Sequence, residues 1–166
     1  LACLRRLMPQ LSPNDGVFLV DDGSMDGTGV KVKAEFSDVN VINGDGTLYW
    51  ARGMHLAWES AIKSGVSFDF FLWLNDDVML APDAISSFLS DYSQLSKSST
   101  PHPVLVGACE CDGKCTYSGT DLKDLKITPV GQPQAANGWF NGNVVLVPKD
   151  VFAKIGMISP DYTHAR

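Results

Sequence analysis

The sequence contains no apolar run near the roughly 20 residues needed to span a bilayer. Its opening stretch, LACLRRLMPQLSP, is too short and too interrupted to read as a signal peptide. Basic residues are few and dispersed. Against 19 Asp and Glu there are 13 Lys and Arg, a formal net charge of -6, so the electrostatic footprint of a nucleic-acid binder is missing and no nucleic-acid partner is expected. No GxGxxG follows the first apolar run, which argues against a dinucleotide oxidoreductase. The four cysteines are Cys3, Cys109, Cys111 and Cys115, three of them within CECDGKC, and the paired CxxC spacing of zinc sites is absent. That run reads as reduced thiols on a hairpin turning at Asp112-Gly113. A metal knuckle and a Cys111–Cys115 disulfide are the alternatives, although nothing else suggests a secreted protein. There is neither an internal repeat nor a low-complexity tract.

What is present is ordinary for a globular chain with a real core: 166 residues, 45% hydrophobic and 19% charged. Leu4, Leu7, Met8 and Leu11 recur on one face, as at the end of an amphipathic helix. VFLV over residues 17–20 reads as a strand buried on both faces. A helix is expected over residues 28–36, capped by Asp26 or Thr28, then a strand over 39–43 and a loop at GDGTLYW. Met54, Ala57, Trp58, Ala61 and Ile62 predict a helix over 51–64, stopped by Gly65. FFLWL over 70–74 is a third buried strand, and Pro82 opens a helix over 82–95. This alternation indicates an α/β domain with a mostly parallel central sheet flanked by helices. Beyond residue 95 the pattern loosens. SKSSTPHP is a polar loop, VLVGACE and KCTYSG form a short antiparallel hairpin, and residues 121–136 are an excursion. WFNGNVVLVPKDVFAKIGMI gives a last strand, a turn at Pro148 and a short helix.

Two acidic clusters follow apolar strands: Asp21-Asp22 after VFLV, and Asn75-Asp76-Asp77 after FFLWL. In open α/β sheets ligands collect at the carboxyl ends of strands. Adjacent carboxylates there can be satisfied by a cation, and oxygen-only ligands favour Mg²⁺ or Mn²⁺, whose shell is completed by water and substrate phosphates. The simpler alternative is that such residues form turns and cap helices.

VFLVDDGSMDGT resembles the VDDGSTDGT signature of glycosyltransferase family 2, inverting enzymes of the GT-A fold. FLWLNDDVMLAPDAI resembles their metal-binding Asp-x-Asp strand, GDGTLYWARGMHLAW the intervening loop and helix of a bacterial rhamnosyltransferase-like branch, and GWFNGNVVLVPKDVFAKIGMIS an acceptor-side Gly-rich strand and helix. The match runs in motif order over almost the whole chain. It implies one GT-A type domain over residues 1–166, with a nucleotide-binding half over 1–95 and an acceptor-side half over 96–166.

The resemblance also implies roles. Asp22, with Asp21 beside it, would bind the nucleobase. Asp77 would ligate Mg²⁺ or Mn²⁺, and Asn75 or Asp76 would contact the ribose or the metal's water shell. Trp50 and Arg52 are candidates for sugar or phosphate contact, weighed equally against a packed core aromatic and a solvated helix charge. Trp139, Asn141, Gly142 and Asn143, with Phe140, suggest an acceptor-binding surface, weighed equally against a buried strand with a bulge. His55 and Ala57 stand where the family shows Asn and Gly, and His55 reads as a surface helix residue without a role. The implied donor is a dTDP-, UDP- or GDP-sugar and the implied acceptor a glycan or lipid-linked glycan. The implied location is cytoplasmic, free or at the inner face of the membrane, any membrane contact being made by parts outside this chain. The family's first strand and its catalytic base, an acidic residue after a segment like SPDYTHAR, are expected to lie beyond this stretch, with His164 a poor substitute for that base. No catalytic residue is therefore assigned. The alternatives are a phospho-receiver signalling domain, whose paired acidic residues VFLVDDG resembles, and a non-catalytic nucleotide-sugar or glycan-binding domain.

Overall fold

The computed structural model describes residues 1–97, 101–112, 114–120, 133, 135 and 138–162. The excursion expected over 121–136 falls almost wholly outside them, as does His164. In chain order come α1 (Ala2–Leu7), a 3₁₀ turn (Met8–Gln10), β1 (Val17–Asp21), α2 (Thr28–Glu35), β2 (Val39–Asn43), α3 (Tyr49–Lys63), β3 (Phe70–Leu74), α4 (Ala84–Ser96), β4 (Leu105–Val106), β5 (Cys109–Cys111), β6 (Lys114–Tyr117), β7 (Val144–Pro148) and α5 (Lys149–Ile155). This is the α/β class expected, with the short hairpin at β5 and β6. Among the described residues no helix is long and apolar enough to cross a membrane.

β1 and β2 pair in parallel, Val17 opposite Val39 and Asp21 opposite Asn43. β3 differs from expectation, because its partner among the described residues is β7, and they run antiparallel with Leu74 opposite Val144 and Phe70 opposite Pro148. β4 pairs with the other edge of β7, also antiparallel. A strand buried on both faces carries no mark of its partner's direction, so the apolar run alone could not reveal this. VLVGACE likewise splits. Its first part is β4, followed by Gly107, whose amide still donates to Val144 O at 2.9 Å and where an added methyl would stand 3.1 Å from Val144 Cβ and 3.2 Å from Phe88 Cζ. The rest enters the hairpin, whose turn residue Asp112 has φ 53, as a primed turn requires.

The period-2 alternation of β3 and β7 divides the core into two layers. Leu72, Leu74 and Val144 join Leu4 and Leu7 of α1, Val32 of α2, Val39 of β2 and Leu80. Phe71, Trp73, Val145 and Val147 face the other way, onto Trp58 of α3 and Phe152 of α5. Val144 to Val147 are all buried, and burying each such side chain contributes about 1.5–3 kcal/mol. Trp58 packs tilted or edge-on against Phe71, Trp73 and Phe152 at ring distances of 5.1–5.4 Å. The indole N–H groups of Trp58 and Trp73 are buried in this layer without a hydrogen-bond partner.

Candidate functional site

The end of β1 and the residue after it supply two carboxylates, and both accept backbone amides. Asp21 Oδ1 accepts the Ser24 amide at 3.1 Å and Oδ2 the Gly29 amide at 2.9 Å, in the first turn of α2. The Ser24 side chain first, then the Ser24 and Gly29 amides, hold this carboxyl below the usual aspartate range. The N-cap of α2 is Gly27, not Asp26 or Thr28 as expected; Asp26 accepts the Thr28 amide at 3.0 Å just ahead of the helix, and Asp21 reaches Gly29 from eight residues upstream. Asp22 reaches further. Its Oδ1 accepts the Gly46 amide at 2.7 Å, and its Oδ2 accepts the amides of Leu48 at 2.9 Å and Tyr49 at 3.1 Å. The GDGTLYW loop and the start of α3 therefore close around one carboxylate. Tyr49 holds φ 55 there, a left-handed conformation uncommon for a tyrosine. A carboxylate offers about four acceptor positions, so on Asp22 about one remains for a ligand.

β3 delivers the second acidic end. Asn75 O accepts the Val78 amide at 3.2 Å, a β-turn that places Asp76 and Asp77 at its two central positions. Both are exposed and accept no hydrogen bond from the described residues. Below the turn lies Cys3, buried at 5% exposure, whose thiol donates to Asn75 O at 3.6 Å. Burial first and Asp76 second push that thiol's pKa up.

The side chain of Asn75 is half-buried and bonds away from its acidic neighbours. Its Oδ1 accepts the Trp50 indole N–H at 2.7 Å, and its Nδ2 donates to Asn143 Oδ1 at 2.9 Å. Its own amide donates to Asn143 O at 2.9 Å. Asn143 N donates to Asn141 Oδ1 at 3.0 Å, and Asn141 Nδ2 to Ser118 O at 3.2 Å. Gly142 lies against the Trp50 ring, where a methyl would meet Cζ2 at 2.7 Å. Thus Trp50, Asn75, Asn141, Gly142 and Asn143 are brought together. Trp139 and Phe140 stand more open, at 70% and 48% exposure.

Arg52 and His55 were not legible as a pair. One turn apart on α3, Arg52 Nε donates to Pro160 O at 3.0 Å and His55 Nδ1 to Ile158 O at 2.8 Å. His55, expected to have no role, thus clasps the segment after α5, and Arg52 Nε is engaged there as well. Their i, i+3 spacing was the only sequence signal, since both partners are carbonyls more than 100 residues away.

Mg²⁺ and Mn²⁺ sites use one or two carboxylates with water and substrate phosphates. The exposed Asp76-Asp77 turn fits that donor set. Among the described residues no group of three or more His, Cys, Asp or Glu is placed to hold a metal by itself. Asn75, with both side-chain atoms engaged, fits a ligand role poorly. In CECDGKC, Cys111 pairs across the hairpin with Lys114, and Cys115 with Glu110.

Residues 1–100, which carry both acidic strand ends and α3, match the model of glycosyl transferase family 2. The chain belongs to that family, which favours glycosyltransferase activity over the receiver alternative. No curated protein and no solved structure matches it.

Proposed function

We propose that the chain carries the donor site of an inverting, divalent-metal-assisted glycosyltransferase, which moves a sugar from a dTDP-, UDP- or GDP-sugar to a glycan or lipid-linked acceptor. The observation that carries this reading is the bridge between the two acidic strand ends. Asp22 binds the amides of Leu48 and Tyr49, and the next residue, Trp50, donates to Asn75 at the base of the Asp76-Asp77 turn. The start of α3 thereby ties the two carboxylate clusters to one place, as a nucleoside diphosphate spanning base to phosphate requires.

In this reading Asp77 ligates Mg²⁺ or Mn²⁺, and Asp76 contacts the ribose or the metal's water shell. Bound there, the cation supplies Lewis-acid stabilisation of the charge on the departing diphosphate. Asp21 and Asp22 shape the nucleobase end chiefly by holding its loops, with the last free position on Asp22 open to the base. The exposed faces of Trp139 and Phe140 suit stacking on an acceptor sugar.

Calorimetric titration with UDP, dTDP and GDP, with and without Mn²⁺, tests the proposal. Metal-dependent binding of one of them, lost in Asp77→Ala, is expected. No binding by a chain shown to be folded would overturn it.

A further inference from the structure

We infer that Asn75 is a positioning residue that locks the Asn141–Asn143 turn to Trp50, and so joins the acceptor-side turn to the acidic turn as one mechanical unit. The inference rests on the reading of those two turns as acceptor and donor sides.

The hydrogen-bond directions allow one arrangement. An indole N–H only donates, so Trp50 at 2.7 Å requires an oxygen on its side of Asn75. The other side of the amide is then the NH₂ group, which requires an oxygen from Asn143, and finds Oδ1 at 2.9 Å. The Asn75 side chain thus meets a donor on one side and an acceptor on the other, and an amide supplies both groups at once. The main chain adds to the tie, with Asn75 N donating to Asn143 O and Asn75 O accepting from Val78. Gly142 seats the Trp50 ring between these contacts. One residue thus touches α3, the 141–143 turn and its own acidic turn, while its side chain leaves the cation site to Asp76 and Asp77.

Two measurements test this. The first needs no ligand. In Asn143→Ala the Trp50 indole N–H resonance should shift, because the Asn75 amide that accepts from it loses its Asn143 partner while the Gly142 seat of the ring is kept. Amide exchange at Asn75, Val78 and residue 143 should rise about two- to tenfold, in line with one lost hydrogen bond. Asn75→Ala should do the same, and the double variant should add little. An unmoved indole resonance, or additive effects, would overturn the inference.

The second uses Mn²⁺ with UDP, dTDP and GDP in calorimetry. Asn75→Ala should keep the ratio of affinities with and without Mn²⁺, which Asp77→Ala abolishes. Loss of that ratio in Asn75→Ala would make Asn75 a ligand and overturn the inference. If the wild-type chain binds no nucleotide, the proposed function fails, and the first measurement still decides the role of Asn75.

Discussion

The Trp50 ring rests on Gly142 so closely that a methyl on that glycine would come within 2.7 Å of Cζ2 and 2.9 Å of Cη2. The ring has little freedom to yield, because its N–H is tied to Asn75 and its edge meets Trp73 at a ring distance of 6.3 Å. Gly142→Ala should destabilise the fold by about 1–3 kcal/mol, the usual cost of overpacking. The urea midpoint would show it, with a change in Trp50 fluorescence, whereas an unchanged midpoint would mean that the ring moves freely.

Asp22→Ala removes the acceptor of three amides at once. Loss of a helix cap costs about 0.5–2 kcal/mol, and this variant should fall at or above the upper end. Hydrogen exchange should rise over residues 44–50 and leave β7 unchanged. An effect confined to nucleotide binding, with stability intact, would contradict the anchoring role.

The depressed pKa of Asp21 gives a pH dependence of definite sign. Its stabilising contribution is present above the unfolded value of about 3.9 and is lost as pH falls through the lower folded value. Asp21→Asn should therefore be less stable than wild type at pH 7, and the gap should narrow as pH falls below about 4. A gap that widens in acid would reverse the assignment.

Arg52→Ala and His55→Ala should each loosen the segment after α5, read as faster exchange over residues 159–162 with β7 unaffected. Each bond contributes about 0.5–1.5 kcal/mol, so global stability should change little.

The helices and strands were legible because their apolar periods are strong. α3 was expected over 51–64 and spans Tyr49–Lys63, its first amides accepted by Asp22, which follows β1 and lies 27 residues before Tyr49. The antiparallel seat of β3 was not legible, since Leu72 and Leu74 face one layer and Phe71 and Trp73 the other whichever way the partner runs. The acidic strand ends were visible as clusters, but not what Asp21 and Asp22 bind, because their partners are backbone amides and carry no side-chain signature. The Gly44-Asp45-Gly46 run was the available hint, as Gly44 lies where a methyl would meet Asp22 Oδ1 at 2.5 Å. Asn75 was read by analogy with an acidic ligand, and only the geometry shows its amide accepting from Trp50 and donating to Asn143.

The order of the antiparallel sheet has a consequence for synthesis. β3 and β4 meet only through β7, the last of the described strands. On a ribosome adding about 5–20 residues per second, the completed β3 waits several seconds for Val144, about 70 residues further on, to emerge opposite Leu74. Throughout that interval the FFLWL edge is exposed, without its eventual neighbour, to other nascent chains. The hazard of misassembly in this protein is thus concentrated in a window of translation, and slowing elongation between β3 and β7 should lower its yield more than slowing it anywhere earlier.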